Sequence, residues 1–98
     1  MSEMSYHVAV LLVDFHIPYA QSLKEKRSVI KRIKDRVSGK FNVSVSELDH
    51  HDKWQAACLG FASLGNDRRH LEGAQENILS FIEGIADVEI GNSYVQFL

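Results

Sequence analysis

The run YHVAVLLVDF at residues 6–15 decides the architecture of this 98-residue chain. It is rich in β-branched and aromatic residues, which predicts a strand, and its middle is apolar at successive positions instead of alternate ones. A strand that is covered on both faces is typical of the centre of a sheet. We therefore expect the strand at 6–15 to be central, with the other elements arranged around it.

A helix is predicted after a loop at residues 16–21, which contains the single proline. Ser22 and Glu25 have the spacing of a capping box, so the helix is expected to begin there and to end near Gly39. Its buried face is formed by apolar residues at helical spacing, namely Leu23, Ile30, Ile33 and Val37.

Two further strands follow this helix. Residues 41–49 alternate between apolar and polar side chains, which indicates a half-exposed strand at an edge of the sheet. A polar turn at 49–52 leads into a mostly apolar strand at 54–64.

A second helix and a last strand complete the chain. Asn66 or Asp67 is positioned to cap the helix, and its buried stripe comprises Leu71, Ala74, Ile78, Phe81, Ile82 and Ile85. The last strand, at 88–97, is interrupted at Gly91-Asn92, where we favour a β-bulge over a two-residue hairpin turn.

The order β-α-β-β-α-β predicts an α+β fold with ferredoxin-like topology. We expect four antiparallel strands in the order 4-1-3-2, with two helices on one face, in a single domain over residues 1–98. In this topology the first strand–helix loop and the central hairpin share one end of the molecule, here named the hairpin end. The turn before the second strand and the loop before the second helix share the other end.

Composition excludes several classes of protein. The chain is 45% hydrophobic and 24% charged, which excludes a disordered tail, and one cysteine excludes a disulfide framework. The longest apolar run has six residues, at 8–13, whereas a membrane-spanning helix needs about 20. Residues 1–7, which precede this run, contain no lysine or arginine, so we do not expect the basic segment of a signal peptide. We expect a cytoplasmic protein without a membrane partner, and interpret Cys58 as a small core residue, not a nucleophile.

Positive charge is concentrated in one segment, although the formal net charge of the chain is −2. Residues 24–40 contain eight of the eleven lysines and arginines and carry a net charge of +6, whereas the remaining residues carry −8. Four of these cations fall within one quadrant of the helix beside its buried face, and we name them the basic stripe: Lys24, Arg27, Lys31 and Lys34. Such a row suits phosphate contacts along a nucleic acid. A solvated helix face is the alternative.

A second group of cations begins the second helix. Arg68 and Arg69 follow the candidate cap, where backbone N–H groups and the helix dipole favour an anion. Lys40, on the neighbouring turn, extends this group. The alternative is an ordinary capped helix whose arginines pair with Glu72 or Glu76.

Polar residues gather at the hairpin end, where the topology is expected to bring His16 towards Glu47, Asp49, His50, His51 and Asp52. We favour ion pairs of Glu47 and Asp49 with Lys24 and Lys26. Because Lys26 falls inside the apolar stripe, its stem either packs while its ammonium group reaches solvent, or it pairs with a hairpin acid. The histidines lack a metal-ligand spacing, so no metal or cofactor is predicted. A metal-dependent enzyme using His16, Asp49 and His50 is the third-ranked alternative.

The sheet has one face that the helices do not cover, here named the open face. Because the first and third strands are apolar on both sides, this face needs a partner. It either forms a homodimer or stacks bases, as in RNA-recognition modules of the same element order. Gly60-Phe61-Ala62 matches the centre of their signature, but Leu59 and Ser63 depart from it. We therefore favour a homodimer for the sheet and the basic helix surfaces for RNA.

Three blocks of sequence resemble a family of small uncharacterised bacterial proteins, the YlxP-like family. They are HIPYAQSLKEKR at 16–27, FNVSVSELD at 41–49 followed by WQ at 54–55, and NDRRH at 66–70. The resemblance runs from Tyr6 to about Phe97 and departs at Gly65, where the family more often has serine. It implies a ferredoxin-like fold, brings no established activity, and associates the family with translation and ribosome-maturation genes.

Together these observations predict a non-enzymatic, homodimeric protein that associates with RNA or the ribosome. The alternative is a protein-interaction module whose basic helix docks on an acidic protein.

Overall fold

The computed structural model describes residues 4–98, and it contains six elements in the predicted order. Their bounds are β1 (His7–His16), α1 (Leu23–Lys40), β2 (Ser44–Asp49), β3 (Ala56–Gly65), α2 (Arg68–Glu83) and β4 (Glu89–Phe97). All strand pairs are antiparallel, in the order β2-β3-β1-β4, which is the predicted order read from the other edge. The predicted α+β, ferredoxin-like fold is confirmed.

Both helices pack on the same face of the sheet, because their apolar side chains join one core with alternate residues of β1 and β3. Of the predicted face of α1, Leu23 is half-buried and the other three residues are buried. The buried core comprises Leu11, Val13, Phe15, Ala57, Leu59 and Phe61 from the strands, and Ile30, Ile33, Val37, Ile78 and Ile82 from the helices. No helix within residues 4–98 is long and apolar enough to cross a membrane.

Two strands are shorter than predicted, because turns occupy their first residues. Phe41 ends α1 by donating its N–H to the carbonyl of Val37 at 2.8 Å, so β2 begins at Ser44 instead of 41. The N–H of Lys53 donates to the carbonyl of His50 at 3.0 Å, which closes the hairpin turn and delays β3 to Ala56.

A side chain caps the N-terminus of each helix. The hydroxyl of Ser22 accepts from the N–H of Glu25 at 3.1 Å, and the carboxylate of Glu25 accepts from the N–H of Gln21. The reciprocal contact of the capping box is therefore made one residue earlier than usual. Of the two candidate caps for α2, the structure uses Asp67.

The irregularity in the last strand is a bulge, as favoured. Val13 pairs with Ser93 and Phe15 pairs with Ile90, so Gly91-Asn92 together oppose the single residue Asp14. β4 therefore runs without a turn along β1 from Ala9 to His16.

Candidate nucleic-acid interface

Three cations of the basic stripe line one groove beside α1. They are Arg27, Lys31 and Lys34, which share the groove with two acidic residues, Asp35 of α1 and Glu47 of β2, and its volume is about 410 Å³. Lys24 lies outside this groove, exposed in the first turn of α1. Because an α-helix rises about 1.5 Å per residue, the stripe extends roughly 15 Å from its first to its last cation.

Most of the stripe is not neutralised by acids of the described chain. Lys31 pairs with Asp35 one turn later at 2.9 Å, but both side chains are largely exposed and such a pair contributes little in water. Lys24, Arg27 and Lys34 form no ion pair with a carboxylate of residues 4–98. Three of the four positive charges of the stripe therefore remain available to an external anion.

Lys26 lies on the same helix, but its side chain is buried in the core. It is 1% exposed, and its Nζ lies 3.0 Å from Oε2 of Glu47. The ammonium group also donates to the carbonyls of His50 at 2.6 Å and Ala56 at 3.0 Å. Of the two interpretations, pairing with a hairpin acid is the one that the structure shows. Lys26 fixes the β2–β3 hairpin to α1 and is not available to a ligand.

The rest of the predicted polar cluster is dispersed. Nδ1 of His16 lies 3.8 Å from Oε2 of Glu89 on β4, so the structure pairs this histidine with a different carboxylate from those of the hairpin. Asp49 accepts from the neighbouring N–H of His50 at 2.7 Å, and Asp52 is exposed in the turn. No three His, Cys, Asp or Glu side chains between residues 4 and 98 are arranged to hold a metal ion.

The second cation group makes contacts within the chain. The carboxylate of Asp67 already accepts from the N–H groups of Arg69 and His70 at 3.0 and 3.3 Å. Nε of Arg68 lies 3.4 Å from the carboxylate of Glu72, which is the pairing expected for an ordinary capped helix. The start of α2 therefore offers fewer free donors to an anion than the basic stripe does.

Two cations of this group, Arg68 and Lys40, also contact aromatic rings. The guanidinium of Arg68 lies 4.1 Å from the ring centroid of Phe97, and Nζ of Lys40 lies 4.9 Å from that of Phe81. Such contacts stabilise a cation by about 0.5–1 kcal/mol at exposed sites. Arg69 is the one exposed arginine of the group without an ion pair to residues 4–98.

Cys58 lies on the open face of β3 beside two carboxylates. Burial raises the pKa of its thiol, and Asp14 and Asp49 raise this pKa further by repelling the thiolate, with Asp14 also accepting a hydrogen bond from the thiol. A thiol that stays protonated is a poor nucleophile. Cys58 is half-buried, so it is less enclosed than the core residue that the sequence predicts.

The open face is apolar but does not present the aromatic residue of the RNA-binding signature. Phe61, which matches that signature, is fully buried under the helices. The large apolar side chains of the open face are Leu48, Leu64 and Tyr94, which are 50, 68 and 62% exposed. The homodimer that would cover them stays a prediction.

Two exposed aromatic residues at the hairpin end were not among the predicted site residues. Tyr19 is 77% exposed in the β1–α1 loop, and Trp54 is 53% exposed at the end of the β2–β3 loop. Gln55 joins these loops by donating from Nε2 to the carbonyls of Pro18 and Ala20, each at 3.1 Å. The sequence feature that could have identified these two residues is a large aromatic side chain within a polar loop.

Comparisons with known proteins indicate the family. The sequence pattern of a family described as "Protein of unknown function (DUF503)" matches residues 8–95. A relative from Bacillus subtilis (strain 168), "Uncharacterized protein YlxP", is 44% identical over 70 residues, which cover 71% of this chain and 76% of the relative. Among solved structures, the de novo designed protein Foldit4 aligns with a TM-score of 0.48 and 22% identity over 94% of this chain and 93% of that chain.

Proposed function

The chain belongs to the DUF503 family of proteins of unknown function, and from that starting point we propose that it associates with RNA through the basic stripe. The observation that carries this proposal is the row of three cations, Lys24, Arg27 and Lys34, that no carboxylate of the described residues neutralises. The protein acts in the cytoplasm as a binding protein and not as an enzyme.

The spacing of the stripe supports contacts along one nucleic-acid strand. From Arg27 to Lys31 the helix axis advances about 6 Å, and from Lys31 to Lys34 about 4.5 Å. One strand of a duplex presents a phosphate about every 3.4 Å measured along the duplex axis. Successive cations can therefore meet different phosphates of the same strand instead of competing for one.

The electrostatics of the stripe also favour a polyanion. Each cation is exposed or half-buried, so binding requires little desolvation of buried charge. Phosphate contacts gain free energy by releasing condensed counterions from the nucleic acid. An acidic protein would lack most of that gain, which is why RNA is preferred as the partner.

A matched pair of variants tests the proposal. Lys34→Gln and Arg36→Gln each remove one cation from α1, but the two positions lie about 200° apart around the helix, and only Lys34 belongs to the stripe. We expect Lys34→Gln to weaken binding of a labelled RNA stem–loop at low salt and Arg36→Gln to change it little. Equal effects of the two variants, or no measurable RNA binding by the unmodified protein, contradict the proposal.

A further inference from the structure

The ring of Tyr19 is held in solvent by a turn whose two ends are buried. Ile17 and Ala20 are 1 and 3% exposed, and the N–H of Ala20 donates to the carbonyl of Ile17 at 3.2 Å. Pro18 restricts the backbone between them. Since the residues on both sides of Tyr19 are buried or hydrogen-bonded, the backbone that carries its exposed side chain is restrained.

Trp54 is displayed in the same way. On one side, Lys53 closes the hairpin turn through its bond to the carbonyl of His50. On the other side, the carbonyl of Gln55 accepts from the N–H of Ile17 at 3.0 Å. The exposed indole therefore lies on backbone that is hydrogen-bonded both within the hairpin and to the β1–α1 loop.

Gln55 makes these two loops one unit. Its side-chain amide donates to the carbonyls of Pro18 and Ala20, which are the two neighbours of Tyr19 in sequence. Because Gln55 also follows Trp54 directly, both aromatic residues are supported by the same set of hydrogen bonds. Two exposed rings are thus carried by loops that hydrogen bonds join at one end of the molecule.

The basic stripe begins close to Tyr19 in the sequence. Lys24 follows Tyr19 by five residues, a stretch of chain that spans at most about 18 Å. Lys53, the residue before Trp54, is exposed, and neither lysine forms an ion pair with residues 4–98. Each exposed ring therefore has an unpaired lysine close to it in the sequence, and one of these lysines is the first cation of the basic stripe.

We infer that Tyr19 and Trp54 stack with unpaired bases, so that the substrate is single-stranded RNA whose phosphates follow the basic stripe. The inference rests on the proposed RNA association and specifies the class of RNA. Aromatic side chains stack on any exposed base, and cations next to them hold the backbone. In a regular duplex the bases are stacked on one another and their faces are not accessible, so a duplex uses the stripe alone.

Fluorescence provides a direct test, because Trp54 is the single tryptophan of the chain. The probes are a short RNA strand of adenine and cytosine, which cannot pair with itself, and the same strand annealed to its complement. We expect the single strand to quench the emission of Trp54 and the duplex to bind without quenching. Binding of the single strand with unchanged emission overturns the inference.

Variants separate stacking from the contribution of charge. We expect Tyr19→Ala and Trp54→Ala each to weaken binding of the single strand by roughly 5- to 150-fold, which corresponds to about 1–3 kcal/mol per stacked base. Trp54→Phe, which keeps a ring, should retain most of the affinity. Tyr94→Ala is the matched control, because Tyr94 is a comparably exposed aromatic residue on the open face.

The outcomes distinguish this inference from the proposed function. If Lys34→Gln weakens RNA binding while Tyr19→Ala and Trp54→Ala do not, the stripe binds RNA and the stacking platform is wrong. The same conclusion follows if these two alanine variants weaken duplex and single strand equally. If neither RNA binds to the unmodified protein, the proposed function fails together with the inference.

Discussion

The ammonium nitrogen of Lys26 lies 3.0 Å from a carboxylate oxygen of Glu47, and the two side chains are 1% and 17% exposed. This pair connects the first turn of α1 to the edge strand β2. The ammonium group also donates hydrogen bonds to the carbonyls of His50 and Ala56, and these bonds together with the ionic contact to Glu47 compensate the loss of its hydration. The pair therefore sets the position of the hairpin relative to the helix that carries the basic stripe.

Lys26→Met is expected to destabilise the protein by about 3–5 kcal/mol, because it leaves Glu47 and two carbonyls without their shared donor. Lys31→Met removes the exposed pair with Asp35 and should cost less than about 1 kcal/mol. Urea unfolding of both variants measures the difference. Similar, small losses in the two variants would show that the buried pair does not hold the hairpin.

Gln55→Leu is expected to loosen the hairpin end, since the carbonyls of Pro18 and Ala20 lose their donor. The loss in unfolding free energy should be about 1–3 kcal/mol for two hydrogen bonds. Quenching of Trp54 by single-stranded RNA should also decrease, although both rings remain. Gln96→Leu, an exposed glutamine on β4, is the control; an equal effect of both variants argues against a role for Gln55 in positioning the rings.

Asp14→Asn is expected to lower the pKa of the Cys58 thiol by removing one of the two carboxylates that repel the thiolate. At a fixed mildly alkaline pH, more thiolate forms and alkylation of the folded protein becomes faster. Asp52→Asn, in the hairpin turn, is the control. An alkylation rate that is the same in Asp14→Asn and the unmodified protein contradicts this account of Cys58.

The predicted homodimer is tested on the open face. Leu64 is 68% exposed there, and Leu64→Asp places a charge in the apolar patch without entering the core. We expect sedimentation equilibrium to detect a dimer of the unmodified protein that dissociates in this variant. Ser80→Asp adds the same charge to an exposed position of α2 and should leave the dimer intact. A monomer at all concentrations of the unmodified protein contradicts the prediction.

Periodicity was sufficient to predict the fold, but it could not predict contacts between distant residues. The alternating and helical patterns gave the element order, and the helix stripe was correct at Ile30, Ile33 and Val37. Lys26 falls at the same spacing, yet its acceptors come from Glu47 and from a carbonyl 30 positions later in the chain. Whether a lysine in a stripe reaches solvent or a buried acid depends on that tertiary arrangement.

In the candidate site, too, local helix geometry was predictable from the sequence, whereas contacts between distant residues were not. Helix geometry predicted that Arg27, Lys31 and Lys34 share one side of α1, and the structure places all three in one groove. The backbone that carries Tyr19 is restrained instead by the bond between its loop and Gln55, a residue more than 30 positions away. His16 was expected near the hairpin acids but forms its ion pair with Glu89, because Glu89 is its direct partner in the pairing of β1 with β4.

The salt dependence of RNA binding tests the central claim, that the basic stripe contacts phosphates. If its four cations each displace counterions from a single strand, the logarithm of the affinity should fall with the logarithm of the salt concentration at a slope of roughly −2.8. Lys34→Gln should reduce the magnitude of this slope by about 0.7, and Arg36→Gln should leave it unchanged. A slope near zero, or one that Lys34→Gln does not alter, would contradict the account.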